Sequence, residues 1–154
     1  MYRETFMSTA PFWEQKSLDA MSDEDWEALC DGCGQCCLHK LVNDETGDVF
    51  YTRVACARLH PETGRCTSYA ERLREVKDCM DVRHMQSAEL SWMPRSCAYR
   101  RLSEGKPLPP WHPLITGDAT TVAAAGVAVA GKTLNEDSVD LEQLEEHIIS
   151  WVDV

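Results

Sequence analysis

The chain has 154 residues, of which 44% are hydrophobic and 27% charged, a balance typical of one folded domain and not of a disordered segment. Its 26 acidic and 15 basic side chains give a formal net charge of −11, which disfavours binding to nucleic acid or anionic lipid, because both need a basic surface. No apolar run has membrane-spanning length and Met1–Ala10 lacks the features of a secretory signal, so we expect a soluble cytoplasmic protein without a membrane partner.

The first predicted element is a short helix that begins after Ser22. Ser22 and Asp25 have the spacing of a capping box, in which each side chain accepts a hydrogen bond from the backbone N–H of the other residue. Trp26 and Leu29 then fall on one face of the helix. The helix therefore leads directly to Cys30, the first cysteine of the chain.

Later segments predict both strands and helices. Residues 38–42 and 49–54 flank a polar loop and predict a β-hairpin. Apolar positions at helical spacing predict helices over 68–80 and over about 138–152. Pro94 is placed to begin a further helix near the last cysteine, because proline suits the first turn.

Cysteines are the strongest feature of the sequence, and all eight lie within about residues 30–97. Four of them form the run C-x2-C-x2-C-C at Cys30, Cys33, Cys36 and Cys37. Two-residue spacing lets a tight turn bring two thiolates to one ion, and the two glycines within the run let the chain wrap closely. In the absence of an export signal, this pattern predicts metal binding by reduced thiols.

Cys36 and Cys37 cannot easily bind the same single ion, because neighbouring side chains of an extended backbone point to opposite sides. The two residues therefore belong either to two centres or to one polynuclear centre. The remaining cysteines supply the number needed for two four-ligand sites; they are Cys56, Cys66, Cys79 and Cys97. The sequence leaves open which cysteines share a centre.

The spacing of the cysteines favours iron slightly over zinc. Structural zinc commonly takes two close pairs of ligands, whereas this chain has one close run and four isolated cysteines. C-x2-C-x2-C also begins the bacterial ferredoxin run, although the x3-C-P that should follow it is absent. Disulfides and inert buried thiols are alternatives, and His39 and His60 are weaker candidates to bind a metal or to orient a ligand.

The cysteine run followed by Leu38-His39-Lys40-Leu41 resembles the bacterial CxxCxxCC cysteine-cluster family, specifically its YcgN-like branch. The similarity extends over most of the chain and includes the segments 92–94, 96–100 and 111–114. The family is described as zinc- or iron-chelating, so the resemblance implies a metal site formed by the eight cysteines. It does not imply a reaction.

Together these features predict a helix-dominated α+β fold, a single domain over residues 1–154 with a short β-hairpin, organised around a cysteine-ligated metal centre. The sequence has no phosphate-binding, dinucleotide-binding or nucleophile-elbow motif, and we predict no catalytic residue. The leading hypothesis is an iron–sulfur or other iron protein with a redox, sensing or metal-handling role. The alternatives are a structural-zinc module that binds another protein and a thiol-redox enzyme.

Overall fold

Ser22 and Asp25 cap the helix that leads to the cysteines. In the computed structural model, which describes residues 10–76, 79 and 81–154, Ser22 Oγ accepts a hydrogen bond from Asp25 N at 3.1 Å, and Asp25 Oδ2 accepts one from Ser22 N at 3.3 Å. These bonds satisfy two backbone N–H groups that a helix start leaves free. Trp26 and Leu29 are buried, and Cys30 is the C-terminal cap. The predicted helix and its capping box are confirmed.

The described residues form short helices and a small three-stranded sheet. The α-helices are α1 (Phe12–Gln15), α2 (Asp23–Leu29), α3 (Arg72–Glu75), α4 (Ser87–Leu90), α5 (Ala98–Ser103), α6 (Pro113–Thr116) and α7 (Thr121–Ala124). The strands are β1 (Leu38–Val42), β2 (Val49–Ala55) and β3 (Leu134–Asn135). Stretches of 3-10 helix lie at Leu18–Ala20, Gln35–Cys37, Tyr69–Glu71, Val82–His84, Glu136–Ser138 and Leu141–His147. The fold is α+β, as predicted, and none of the described helices is long and apolar enough to cross a bilayer.

The predicted hairpin is formed by β1 and β2, which pair antiparallel with Leu38 opposite Ala55. β3 adds a parallel third strand beside β2, and with only two residues it is too short to produce a sequence pattern. Cys37 and Cys56 lie just outside the open end of the hairpin, where Cys56 N donates a hydrogen bond to Cys37 O at 2.9 Å. The hairpin therefore brings two distant cysteines side by side.

Apolar side chains form two separate clusters. The helical core contains Met21, Trp26, Leu29, Leu90, Met93, Ala98, Tyr99 and Leu108. The sheet core contains Leu38, Tyr51, Ala55, Leu59 and Val129. In the helical core, Trp26 stacks on Tyr99 with ring centroids 4.3 Å apart, and Tyr99 Oη donates to Trp26 O at 2.6 Å. This contact joins α2 to α5, the two helices that flank the cysteine-rich region.

Within the helix predicted over residues 68–80, the described residues 68–76 form only a short helical stretch. Tyr69–Glu71 is 3-10 helix, α3 follows it, and the next residue is extended. Tyr69 and Leu73 are 45% and 47% exposed. The described part of the apolar stripe therefore packs against neither hydrophobic cluster, and a short helix without such packing is marginal in water. Met80, the last position of the predicted stripe, lies outside the described residues.

The C-terminal segment differs from the helix predicted over about 138–152. The 3-10 helix found there is interrupted by a residue with a φ of −117°. Ile148 then forms an isolated antiparallel bridge with Thr52, and Ile149 N donates to Tyr51 O at 2.9 Å. The segment pairs with β2 instead of continuing as a helix, because this pairing satisfies backbone groups along an edge of the strand that is otherwise open.

Gly34 fixes how the cysteine loop packs on the rest of the molecule. Its φ of +79° lies in the left-handed region that favours glycine. A Cβ at this position would lie 2.6 Å from Val129 Cγ2 and 2.8 Å from Gly64 O. Since Val129 is fully buried, it has little freedom to move away. The loop therefore lies directly against the sheet core and the turn that contains Gly64.

We expect Gly34→Ala to destabilise the protein more than Gly47→Ala. Both glycines have positive φ, so each substitution adds backbone strain of roughly 1–2 kcal/mol. Only the Gly34 variant also adds a clash, because no described atom lies within 4 Å of a Cβ at Gly47. Overpacking of this kind costs roughly 1–3 kcal/mol more. Urea unfolding of both variants at equal metal content measures the difference, and equal destabilisation would contradict the described packing.

Candidate metal centre

The cysteine run is a compact loop held by hydrogen bonds to its backbone. Asp31 Oδ1 accepts a hydrogen bond from Cys33 N at 3.0 Å, and Cys33 O accepts one from Val129 N at 2.9 Å. Gly34 O accepts a hydrogen bond from Cys37 N at 3.1 Å, which closes a 3-10 turn. The loop therefore turns tightly before it enters β1, in agreement with the spacing of its cysteines and glycines.

The four isolated cysteines come from separate parts of the fold. Cys56 follows β2, and Cys66 pairs with Leu59 in an isolated antiparallel bridge. Cys79 lies between α3 and α4, and Cys97 is the N-terminal cap of α5. All eight cysteines of the chain are free, and no disulfide forms among them. The structure therefore presents eight thiols as sulfur donors.

These thiols are not at the spacing of bound ligands. Among residues 10–76, 79 and 81–154, no three side chains of His, Cys, Asp or Glu lie close enough together to hold one ion. The chemistry of the donors nevertheless fits zinc or iron, because both metals are held in proteins by cysteine thiolates, commonly four at a time. Metal binding would require the sulfurs to move together, so it would be coupled to local ordering of the chain.

Cys36 and Cys37 pack against different clusters although they are adjacent in the chain. Cys36 contacts the helical core and Cys37 contacts the sheet core. The backbone here is 3-10 helix and not the extended chain that the sequence argument assumes, and successive side chains of a 3-10 helix diverge by about 120°. The two sulfurs remain neighbours. A hydrogen bond from the Cys37 thiol to the Cys36 sulfur lowers the pKa of Cys36 and raises that of Cys37.

Burial favours the protonated form of most other thiols. It raises the pKa of Cys30 to about 11 and that of Cys97 to about 12. Burial also raises the pKa of Cys33, Cys56 and Cys79. Cys30 is exposed as a residue, yet the surrounding protein still desolvates its thiol. A metal ion must displace protons from these thiols, because the thiolate and not the thiol is the ligand.

Lys40 is a residue of the site that sequence reasoning missed. Its Nζ donates to Cys36 O at 3.0 Å and to Leu38 O at 2.9 Å, and it lies 4.8 Å from the centroid of the Tyr51 ring. Its positive charge adds to the Cys37 hydrogen bond in lowering the pKa of Cys36. If a metal binds, an ammonium group here would offset part of the negative charge of the thiolates that hold it. In the sequence, the position of Lys40 three residues after Cys37 is the only feature that could have indicated its role.

Glu136 is a second residue that the sequence did not indicate. Its Oε1 lies 3.2 Å from His39 Nε2, and its Oε2 accepts a hydrogen bond from Ala57 N. The same carboxylate adds to burial in raising the pKa of the Cys56 thiol. Because Glu136 follows β3, far along the chain from Cys56, no local pattern reveals it. The contact holds His39 beside a carboxylate at the open end of the hairpin, as expected of a residue that orients or supplies a ligand.

His60 and His112 make contacts of a structural kind. His60 Nδ1 accepts hydrogen bonds from Glu62 N at 3.2 Å and from Thr63 N at 3.3 Å, which closes its own turn. His112 is fully buried, with its Nε2 2.7 Å from Leu29 O. These contacts give no support to His60 as a ligand through Nδ1.

Comparison with known proteins agrees with metal binding by the cysteine-rich region. Residues 29–98 match the CxxCxxCC family, whose description is "putative zinc- or iron-chelating domain". The match confirms the resemblance drawn from the cysteine run. No solved structure matches the chain.

Curated relatives extend the similarity to almost the whole chain. A UPF0260 protein of Vibrio vulnificus (strain YJ016) is 48% identical over 143 residues, which is 93% of this chain and 97% of the relative. A UPF0260 protein of Azotobacter vinelandii is 50% identical over 139 residues, 90% of this chain and 93% of the relative. Another, of Gluconacetobacter diazotrophicus, is 50% identical over 143 residues, 93% of this chain and 88% of the relative. The chain therefore belongs to the UPF0260 family.

Proposed function

We propose that this protein binds iron through its cysteine thiolates, in the form of an iron–sulfur cluster, and uses it in a redox, sensing or metal-handling role. Zinc or iron chelation is the description of the matching family. The observation that best supports the proposal is the set of eight free thiols, four of which lie in one tight loop between the two hydrophobic clusters. Protein-bound clusters of this kind take their ligands from cysteines.

The distribution of the isolated cysteines favours iron over zinc. Structural zinc sites commonly combine two close pairs, each supplied by one turn. Here the loop supplies one close run, whereas Cys56, Cys66, Cys79 and Cys97 come from four different segments of the fold. Iron–sulfur ligation accommodates a close run together with distant partners.

A zinc-stabilised module that binds another protein is the second candidate. Large apolar side chains are exposed on and beside the sheet: Val42 is 43% exposed, Phe50 40% and Ile148 43%. Exposed apolar side chains of this size occur on surfaces that bind proteins. A thiol-redox enzyme is the third candidate, because the hydrogen bond from Cys37 lowers the pKa of Cys36 although burial raises that of most other thiols.

We expect protein purified without oxygen, and without a metal-affinity column, to contain iron and acid-labile sulfide and to absorb broadly in the visible range. Thiolate-to-iron charge transfer gives such absorption, whereas zinc thiolates are colourless. Elemental analysis, sulfide determination and an absorption spectrum of the same sample measure the three quantities together. Colourless protein with stoichiometric zinc would overturn the cluster and support the zinc-stabilised module.

His60→Ala is the matched control for this experiment. His60 lies between Cys56 and Cys66, but its Nδ1 is occupied by its own turn. The variant should therefore keep the metal content and the spectrum of the natural protein. Cys36→Ser together with Cys37→Ser should lose most of the metal, since the paired sulfurs lie at the centre of the cysteine run. Protein that contains no metal before any substitution would contradict the proposed function.

We expect Lys40→Met to weaken metal binding roughly tenfold, the lower end of the effect of residues that support metal ligands. The substitution removes the positive charge beside Cys36 and the hydrogen bonds to the Cys36 and Leu38 carbonyls. Competition with a chromogenic chelator measures the affinity. Lys132→Met is the control, because that lysine lies over the Trp151 ring at 4.6 Å. Equal affinities of the two variants would show that Lys40 does not support the site.

A further inference from the structure

The outer edge of β2, the edge that faces away from β1, is covered over only part of its length. β3 pairs with the end of the strand, Ile148 pairs with Thr52, and Ile149 N donates to Tyr51 O at 2.9 Å. Before this point, no residue of the described ranges 10–76, 79 and 81–154 pairs with the same edge. The start of the strand at Val49 is therefore open to pairing with a further strand.

Backbone groups of Val49 point to this open edge. Asp48 O accepts a hydrogen bond from Asn43 N at 2.8 Å, so the backbone groups of Asp48 face β1. In an antiparallel strand the N–H and C=O of one residue point to the same edge, and successive residues alternate. The backbone groups of Phe50 therefore also face β1, whereas those of Val49 and Tyr51 face outward, in agreement with the bond that Tyr51 accepts. Val49 accordingly offers one donor and one acceptor at the open edge.

A groove of about 630 Å³ lies along this part of the strand. It is lined by residues 47–51 of the hairpin, by Trp92, and by residues between 148 and 154. Phe50, Trp92 and Ile148 are exposed, so the groove has large apolar side chains that contact no core. An open strand edge beside apolar side chains is the arrangement by which proteins bind an extended peptide, since the backbone pairs and alternate side chains enter the groove.

Charges in the groove favour a basic occupant. Asp48 and Asp153 line the groove, and within the described part of the chain neither carboxylate forms an ion pair. Of the described residues that line it, only Arg100 is basic, and this side chain is buried and paired with a glutamate four positions on. The neighbouring Arg95 donates through Nε to Val154 O at 2.9 Å. Lysine or arginine side chains of an occupant would therefore complement the two carboxylates.

A second copy of this chain suits the groove less well than a basic segment. A symmetric dimer uses the same surface patch on both subunits. Pairing through the open edge would therefore bring Asp48 and Asp153 of one subunit towards the same two residues of the other. Each chain also carries a net charge of −11, and like charges across an interface oppose association.

We propose that this groove binds an extended, basic segment of another protein, which adds to the outer edge of β2 as a further strand. Its backbone pairs with Val49, its apolar side chains pack beside Phe50, and its basic side chains approach Asp48 and Asp153. Asp48 precedes β2 and Cys56 follows it, so the seven residues of the strand separate the groove from the cysteines of the hairpin. The inference therefore goes beyond the proposed metal binding and does not depend on it.

Three fluorescein-labelled hexapeptides of alternating lysine and valine test the backbone pairing on the natural full chain. One is unmodified, one is N-methylated at its lysines and one at its valines. An added strand pairs through alternate residues only, because the backbone groups of the others point to the opposite edge. By fluorescence anisotropy, we expect one methylated peptide to bind like the unmodified peptide and the other roughly tenfold more weakly. Equal binding of the two methylated peptides, or no saturable binding of the unmodified one, would overturn the added strand.

Asp48→Asn together with Asp153→Asn tests the charge complementarity. The double variant should bind the unmodified peptide roughly fivefold more weakly at low salt, the effect expected of two exposed ion pairs. Glu14→Gln together with Glu62→Gln is the matched control, because it removes the same charge from two exposed residues that do not line the groove. Equal weakening by the two double variants would show that the peptide responds only to the net charge, and the groove would then not be its site.

Phe50→Ser tests the apolar contact, with Val42→Ser as its control. Val42 is as exposed as Phe50 and lies in the same sheet, but it does not line the groove. Only Phe50→Ser should weaken peptide binding, and equal binding by the two variants would contradict the proposed contact. Analytical ultracentrifugation should show the natural chain as a monomer. A dimer that Phe50→Ser dissociates would overturn the proposal in favour of a second copy as the occupant.

Discussion

The packing of Cys36 and Cys37 on two different hydrophobic clusters is the constraint on which the rest of the structure depends. Because the two cysteines are consecutive residues of one 3-10 turn, no residue separates the contact with the helical core from the contact with the sheet core. Gly34 begins this turn with a left-handed backbone, and any larger residue there would meet Val129 and the Gly64 carbonyl. The relative position of the two clusters is therefore set by the 3-10 turn Gln35–Cys37, in which two of the three side chains are thiols.

Without a bound metal, the half-buried thiols leave the junction between the two clusters loosely packed. Cysteine sulfur buried as a neutral thiol behaves as a small apolar group, so the metal-free state is tolerated, but the eight sulfurs do not pack into one dense cluster. A bound metal would exchange these loose contacts for direct sulfur–metal bonds and would join segments that are far apart in the chain. The chain's net charge of −11 makes the ammonium of Lys40 beside the paired cysteines more important for stabilising negative sulfur there.

The sequence predicted the parts of the fold that are governed by local interactions. The capping box at Ser22 and the hairpin were confirmed because hydrogen bonds between near neighbours specify both. Of the helices predicted over 68–80 and about 138–152, the described residues form only short stretches, since helical spacing is not sufficient where no core receives the apolar face. The spacing of the cysteines predicts that they bind metal, and which of them are ligands stays a prediction. Glu136 was missed because only long-range packing brings it to His39 and Cys56, and Lys40 was missed because one lysine close to the cysteines is not a distinctive pattern.

The arrangement of β2 has a consequence for how the chain folds during synthesis. One edge of this strand pairs with β1, but its other edge is covered by β3 and by Ile148 and Ile149, all from the last quarter of the sequence. Until those residues leave the ribosome, the strand Val-Phe-Tyr-Thr-Arg-Val-Ala has one edge of unpaired backbone groups. An open, apolar strand edge is a template for pairing between chains. Nascent or truncated chains that lack the last segment are therefore the forms most prone to aggregate, whatever the stability of the finished fold.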